Sequence, residues 1–265
     1  MYAFNYHRPS NLQEALSLLR AAEDGKFMGG GQTLIPTLKQ RLAMPSDVVD
    51  LGGVRELVGI CPDGDDVVVV GGMTRHAAVA ESDLVQSKIP ALAELAEAIG
   101  DPQVRNRGTL GGSIANNDPA SDYPGAVLGL GATVSTDRRK IAADDFFTGM
   151  FETALEEDEV VTHVSFPVPA QAKYMKFPNP ASRYSMAGAF VARTEGGVRV
   201  AITGAGPCVF RWTAAEEALA RDFGPAAIEP LAMPADDLNG DIHASPAYRA
   251  NLVKVMTRRA VEALV

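Results

Sequence analysis

Three consecutive glycines, Gly29-Gly30-Gly31, followed by Gln32-Thr33-Leu34, constrain this chain more than any other feature. Glycine has no Cβ, so the backbone can take φ > 0 and a ligand can approach it closely. Successive N–H groups in such a loop form a concave anion trap. The apolar run Leu34-Ile35-Pro36-Thr37-Leu38 predicts a helix directly after the loop. A helix start adds free donors and a partial positive charge. A second cluster, Thr109-Leu110-Gly111-Gly112-Ser113, lies further along. Two such loops predict one doubly charged ligand gripped from two sides, as the diphosphate of a dinucleotide would be. Either cluster taken alone also reads as a turn. The first lacks the G-x-G-x-x-G spacing and the Lys-Ser/Thr of a phosphate-binding P-loop, so a dinucleotide site here is of neither kind. Gly52-Gly53, Gly71-Gly72 and Gly196-Gly197 read as plain turns.

With 265 residues, 46% of them hydrophobic, the chain can form one large domain or two smaller ones. Its net charge of −9 argues against nucleic acid as a partner, because phosphate backbones need clustered Lys and Arg. The one run of three basic residues, Arg138-Arg139-Lys140, reads as a solvated turn between strands. No apolar stretch reaches the roughly 18 residues of a membrane span, and no signal peptide is visible, so a cytoplasmic location is expected. The two cysteines, Cys61 and Cys208, read as small buried hydrophobes. They cannot hold an iron–sulfur cluster unaided, which takes about four thiolates. The four histidines show no zinc-ligand spacing, and no metal site is expected.

Along the chain, residues 4–7, 26–28 and 46–50 read as strands. A capping box starting at Ser10 predicts a helix carrying Leu12, Ala15, Leu16 and Leu19 on one face. Residues 67–70 read as a buried strand, with Thr74 capping a helix through residue 80 and Pro90 opening another. The segment Ala115-Asn116-Asn117-Asp118-Pro119-Ala120-Ser121-Asp122 reads either as a ligand-lining loop or as a surface turn. Pro124 opens a helix through residue 130, and strands follow at 132–136 and 160–166. Pro167, Pro169, Pro178 and Pro180 mark a boundary at about 170–180. Beyond it, 187–192 and 198–204 read as a hairpin, and 213–220, 225–233 and 246–264 as three helices.

The segments GGGQTLIP at 29–36, TLGGSIANNDPASD at 109–122 and KFPNPASRY at 176–184 resemble the FAD-binding medium subunit of molybdenum-containing hydroxylases. Bacterial carbon monoxide and nicotine dehydrogenases belong to that family, as does the equivalent module of xanthine dehydrogenase. The resemblance spans nearly the whole chain. It implies an α+β fold with a flavin-binding unit of the vanillyl-alcohol-oxidase type over 1–175, made of subdomains at about 1–55 and 56–175. A C-terminal domain over 176–265 would add a small antiparallel sheet and a helix bundle. The resemblance implies flavin contacts at Gly29, Gly30, Gly31, Gln32, Thr33 and Leu34. A second set falls at Thr109, Gly111, Gly112, Ser113 and Asn117. It puts Asp122 near the ribityl or adenosine hydroxyls, the Val161 backbone at the isoalloxazine, and Lys176 and Tyr184 close to the ring.

Two departures stand out. Gln32 occupies a region where relatives with covalent flavin have histidine, so FAD is expected to be non-covalent. Arg183 stands where related chains often have Asp. A four-cysteine insertion known in one branch is missing, so no cluster is expected in this chain. By resemblance, the chain would be an electron-transfer subunit with no catalytic residue of its own, passing electrons through FAD to an outside acceptor. A large partner would hold the molybdenum cofactor and a small partner two [2Fe–2S] clusters, assembled as a dimer of heterotrimers. The rivals are a self-contained flavin-dependent oxidase and a non-catalytic nucleotide-binding scaffold.

Overall fold

The computed structural model describes residues 1–265. Three main sheets are laid out in chain order, with a two-stranded ribbon of Phe147–Gly149 and Glu152–Thr153 beside them, in keeping with the expected α+β class. The first is parallel, with Asp47–Asp50 between Asn5–His7 and Gly25–Met28. Helix Leu12–Ala21 packs Ala15, Leu16 and Leu19 against it. Its cap lies one residue later than the sequence suggests: Asn11 accepts from the Glu14 N–H at 2.9 Å, while Ser10 donates to the Glu14 carboxylate. Asn is as good a cap as Ser, and the box closes around it.

The second sheet is antiparallel, in the order Ile60–Pro62, Val67–Gly71, Val161–Pro167, Thr133–Thr136 and Lys140–Ala142. A β-bulge interrupts the pairing of the central strand between Val161 and His163. Helices Pro90–Glu97, Leu110–Asn116 and Tyr123–Gly129 cover this sheet, joined in one core with Val70, Val134, Val164 and Phe166. Helix His76–Ala80 starts without a side-chain cap. Thr74 is instead buried, exchanging hydrogen bonds with the N–H and C=O of Gly59.

The third sheet pairs Gln171–Pro178 with Ser185–Thr194, then Gly197–Thr203 and Phe210–Arg211. The strand Gln171–Pro178 runs across the expected division at 175/176 and belongs wholly to this sheet. Phe190 of its neighbour enters the core of the second sheet, so the hydrophobic interior is continuous between the two. Only two α-helices follow, Thr213–Arg221 and Pro246–Glu262. The expected helix at 225–233 is a single 3-10 turn, Pro225–Ala227. Pro230 has no N–H to bond back into a helix, its ring would clash with the preceding turn, and it disfavours helical geometry at the residue before it. Cys61 is exposed and Cys208 half-buried, so neither is the buried hydrophobe expected. No helix is long and apolar enough to cross a membrane.

The basic run at 138–140 is a turn, but it is not free in solvent. Arg138 reaches Glu156 and Asp158, and Arg139 makes a two-point contact with Glu159. Glu159 is 5% exposed and also accepts from the Thr136 hydroxyl and the Glu156 N–H. Hydrogen bonding to Arg139 leads the causes that pull its carboxyl down to about 2. A depressed folded pKa stabilises fully above the ordinary value of 4.5 and is lost as pH falls toward 2. Glu159→Gln is expected to flatten the fall in unfolding free energy over that window, read by urea titrations at stepped pH. Arg139→Met, which strands the buried carboxylate, is expected to cost about 2 kcal/mol at pH 7. An unchanged acid limb in Glu159→Gln would overturn this assignment.

Candidate functional site

A cleft of about 610 Å³ opens between the first and second sheets and reaches the turn at 182–184. That is within the usual range for a small-molecule site, roughly 300–1,000 Å³. Its walls include all of residues 29–34, together with Thr109, Gly111, Gly112, Ser113, Asp122, Val161 and Tyr184. Two expected contacts lie elsewhere. Asn117, at φ 42°, is buried off the cleft and donates to the carbonyls of Gly149 and Glu152. The Lys176 ammonium sits behind Asp122, 3.1 Å from both carboxylate oxygens.

The two glycine clusters touch, and they do different work. The N–H groups of residues 30–34 donate to no acceptor within the chain. They run into helix Leu34–Lys39, whose first bonds are Ile35 N–H to Gly31 O and Thr37 N–H to Thr33 O. Five consecutive open donors on a cleft wall are what an anion requires. The second cluster is not the bare loop that the sequence suggests but the first turn of helix Leu110–Asn116, capped by Thr109. Its donors are spent: Leu110 on Thr74 O, Gly111 on Gly72 O at 2.7 Å, Gly112 on the Thr109 hydroxyl and Ser113 on Thr109 O.

What the second cluster supplies is close approach. A Cβ on Gly30 would fall 2.0 Å from Arg107 O, and one on Gly111 would fall 2.6 Å from Gly72 O. Gly72 in turn admits the Val161 carbonyl, 2.3 Å from its missing Cβ. Gly71-Gly72 is therefore no plain turn: it is the seam between the strand ending at Gly71, the bulge at Val161 and the second cluster. Its position directly after an apolar strand was the signal available in the sequence. A Cβ on Gly112 would meet only its own cap hydroxyl within 4 Å, leaving that face open to the cleft.

The segment at 115–122 is the cleft-lining one of its two readings, with Asp118, Ser121 and Asp122 on the wall. The hydroxyls of Ser113 and Ser121 lie 2.7 Å apart and fix it to the helix. His76 is a wall residue that sequence reasoning missed. Burial, more than the nearby Arg105 charge, lowers its pKa to about 4, so it is neutral at physiological pH. Tyr184 is half exposed at the rim, and burial of its hydroxyl end raises its pKa. The Gln32 side chain is exposed. No group of three or more His, Cys, Asp or Glu is arranged to hold a metal.

Residues 2–169 match the family model described as the FAD binding domain in molybdopterin dehydrogenase. The chain belongs to this family. It is 34% identical to the carbon monoxide dehydrogenase medium chain of Hydrogenophaga pseudoflava, over 98% of this chain and 96% of that one. It is 36% identical to the nicotine 6-hydroxylase medium subunit of Paenarthrobacter nicotinovorans, over the same shares of each chain. The solved quinoline 2-oxidoreductase of Pseudomonas putida 86 superposes with a TM-score of 0.89 at 30% identity, covering 98% of this chain and 96% of that one. The chain is thus a medium-type flavoprotein subunit of the molybdopterin-dependent oxidoreductases, with a flavin-binding unit of the vanillyl-alcohol-oxidase type. The open donors at 30–34 fit a diphosphate, and the buried carboxylate of Asp122 fits sugar hydroxyls.

Gly30→Ala is expected to force the two clusters apart and weaken FAD binding by about tenfold or more, about 1.4 kcal/mol. Gly196→Ala, in a turn with nothing closer than 3.7 Å to the new Cβ, should leave affinity and Tm unchanged. Flavin fluorescence titration against the flavin-free chain checks both. Equal affinity in Gly30→Ala and wild type would refute the seam.

Proposed function

We propose that this chain is the electron-transfer subunit of a three-chain molybdenum hydroxylase, receiving electrons on FAD and passing them to an outside acceptor. The observation that carries the reading is the row of open backbone donors at 30–34 on the wall of one cleft that a buried carboxylate, Asp122, also lines. When bound there, FAD supplies a carrier that can load electrons singly and discharge them in pairs. The Gly29–Leu34 loop binds the diphosphate, and Thr109, Gly111, Gly112 and Ser113 line the cleft beside it, the two glycines putting no side chain in the way. Asp122 orients a ribityl or ribose hydroxyl, the Val161 backbone meets the ring, and Tyr184 stands at the rim beside it. Asn117 acts from behind the wall by bracing the 149–152 turn.

FAD is held non-covalently, since Gln32 offers no nucleophile at the first loop. Residues before about 170 form the flavin-binding unit, and the sheet beginning at Gln171 with its two helices forms the other. The molybdenum cofactor sits on a large partner and the [2Fe–2S] clusters on a small one. The relatives' names support this division of labour, being those of medium chains or subunits of dehydrogenases and a hydroxylase. Three-chain units pair into a dimer, in the cytoplasm. No Glu or His in the cleft is placed as an evident acid or base for a substrate of its own: Glu159 is engaged by Arg139 and His76 is buried.

Native purification should yield a yellow complex of three chains absorbing near about 450 nm, with FAD released intact on denaturation. The complex's organic substrate should bleach the flavin only when the other two chains are present. Bleaching of the isolated chain by such a substrate would favour a self-contained oxidase, and a colourless complex would favour the scaffold.

A further inference from the structure

The Lys176 ammonium has four acceptors around it: the two oxygens of Asp122 at 3.1 Å, Ala98 O at 2.8 Å and Arg183 O at 3.0 Å. An ammonium has three protons, so none is left for a ligand. Asp122 Oδ1 also accepts from the Tyr174 hydroxyl at 2.5 Å. Asp122 Oδ2 accepts from Lys176 alone, and this carboxylate lines the cleft. All three groups are out of solvent: Asp122 is 4% exposed, Tyr174 is 6%, and the Lys176 side chain is 9%. Ala98 closes the helix Pro90–Glu97, and Arg183 precedes Tyr184 in the rim turn. One buried cation therefore ties the flavin-binding unit, Asp122 and the rim turn together.

We propose that Lys176 and Tyr174 are positioning residues that hold Asp122 with Oδ2 open to a sugar hydroxyl of the bound dinucleotide, Lys176 acting through Asp122 rather than on the flavin itself. This rests on the FAD reading above. Burial pushes the Asp122 carboxyl up, and the Lys176 charge and the Tyr174 hydroxyl pull it back. The other groups facing it are Tyr123 and Tyr184, neither of them cationic, while the Arg183 guanidinium is directed at Gly100 O. Removing the ammonium leaves a buried carboxylate with no counter-charge, which pushes its carboxyl further up and favours the protonated form, no longer a pure acceptor. Raising the pH ionises it again.

The test is a double-mutant cycle on FAD affinity in the full-length flavin-free chain, by flavin fluorescence over pH about 6 to 9. Wild type should be nearly flat across that range. Lys176→Met should bind FAD at least tenfold more weakly at pH 7, recovering as pH rises. In an Asp122→Asn background, Lys176→Met should change affinity less than twofold at any pH. Tyr174→Phe should weaken binding a few-fold in the wild-type background and not in Asp122→Asn. If Lys176→Met alone does not fold, the Tyr174→Phe arm and the charge-free double variant carry the comparison. Losses that simply add, or a pH-flat loss in Lys176→Met, would overturn the proposal. Failure of wild type to bind FAD at all would overturn the function reading instead.

Discussion

The structure depends on one contact between two stretches of bare backbone. Gly30 lies against Arg107 and Gly108 so closely that no Cβ fits between them. This contact brings the parallel sheet at the N-terminus and the antiparallel sheet after it to the two sides of a single cleft. It also leaves the donors at 30–34 facing that cleft with nothing in the chain to satisfy them. Consecutive unpaired N–H groups on a cleft wall form a concave anion trap, which is the physical reason to expect an anionic partner for them.

The division of labour between the clusters differs from a symmetrical clasp. The first loop is a set of open donors. The second is a helix start whose donors are already engaged by Thr74, Gly72 and Thr109. Its glycines are needed because Gly72, Gly111 and the Val161 carbonyl must stack at distances that exclude side chains. Both clusters are rich in glycine, but for different reasons: one must bind, the other must not obstruct.

The positions of the strands and most helices were legible because apolar periodicity and proline placement are local signals. The strand at 67–71, the helix from Pro90 and the hairpin at 185–203 follow those signals. The helix expected at 225–233 and not found shows the limit: its apolar residues suit a helix, yet Pro230 forbids one. At the site, glycine clustering and the resemblance pointed to most of the cleft wall. Lys176, Asn117 and Gly72 were not legible in the same way, because each depends on a partner distant in sequence. Lys176 is drawn to Asp122 across 54 residues, and Asn117 to Gly149 across 32. The same holds for Glu159 and Arg139, where a run of basic residues looked solvated until its carboxylates folded back onto it.

The central claim is tested most directly by amide hydrogen exchange with and without FAD. Binding should slow exchange strongly across residues 30–34, whose N–H groups are open in the free chain. It should change the already bonded amides of residues 110–113 far less. Slowing confined to 110–113, or none in the 30–34 segment at saturating FAD, would contradict the account.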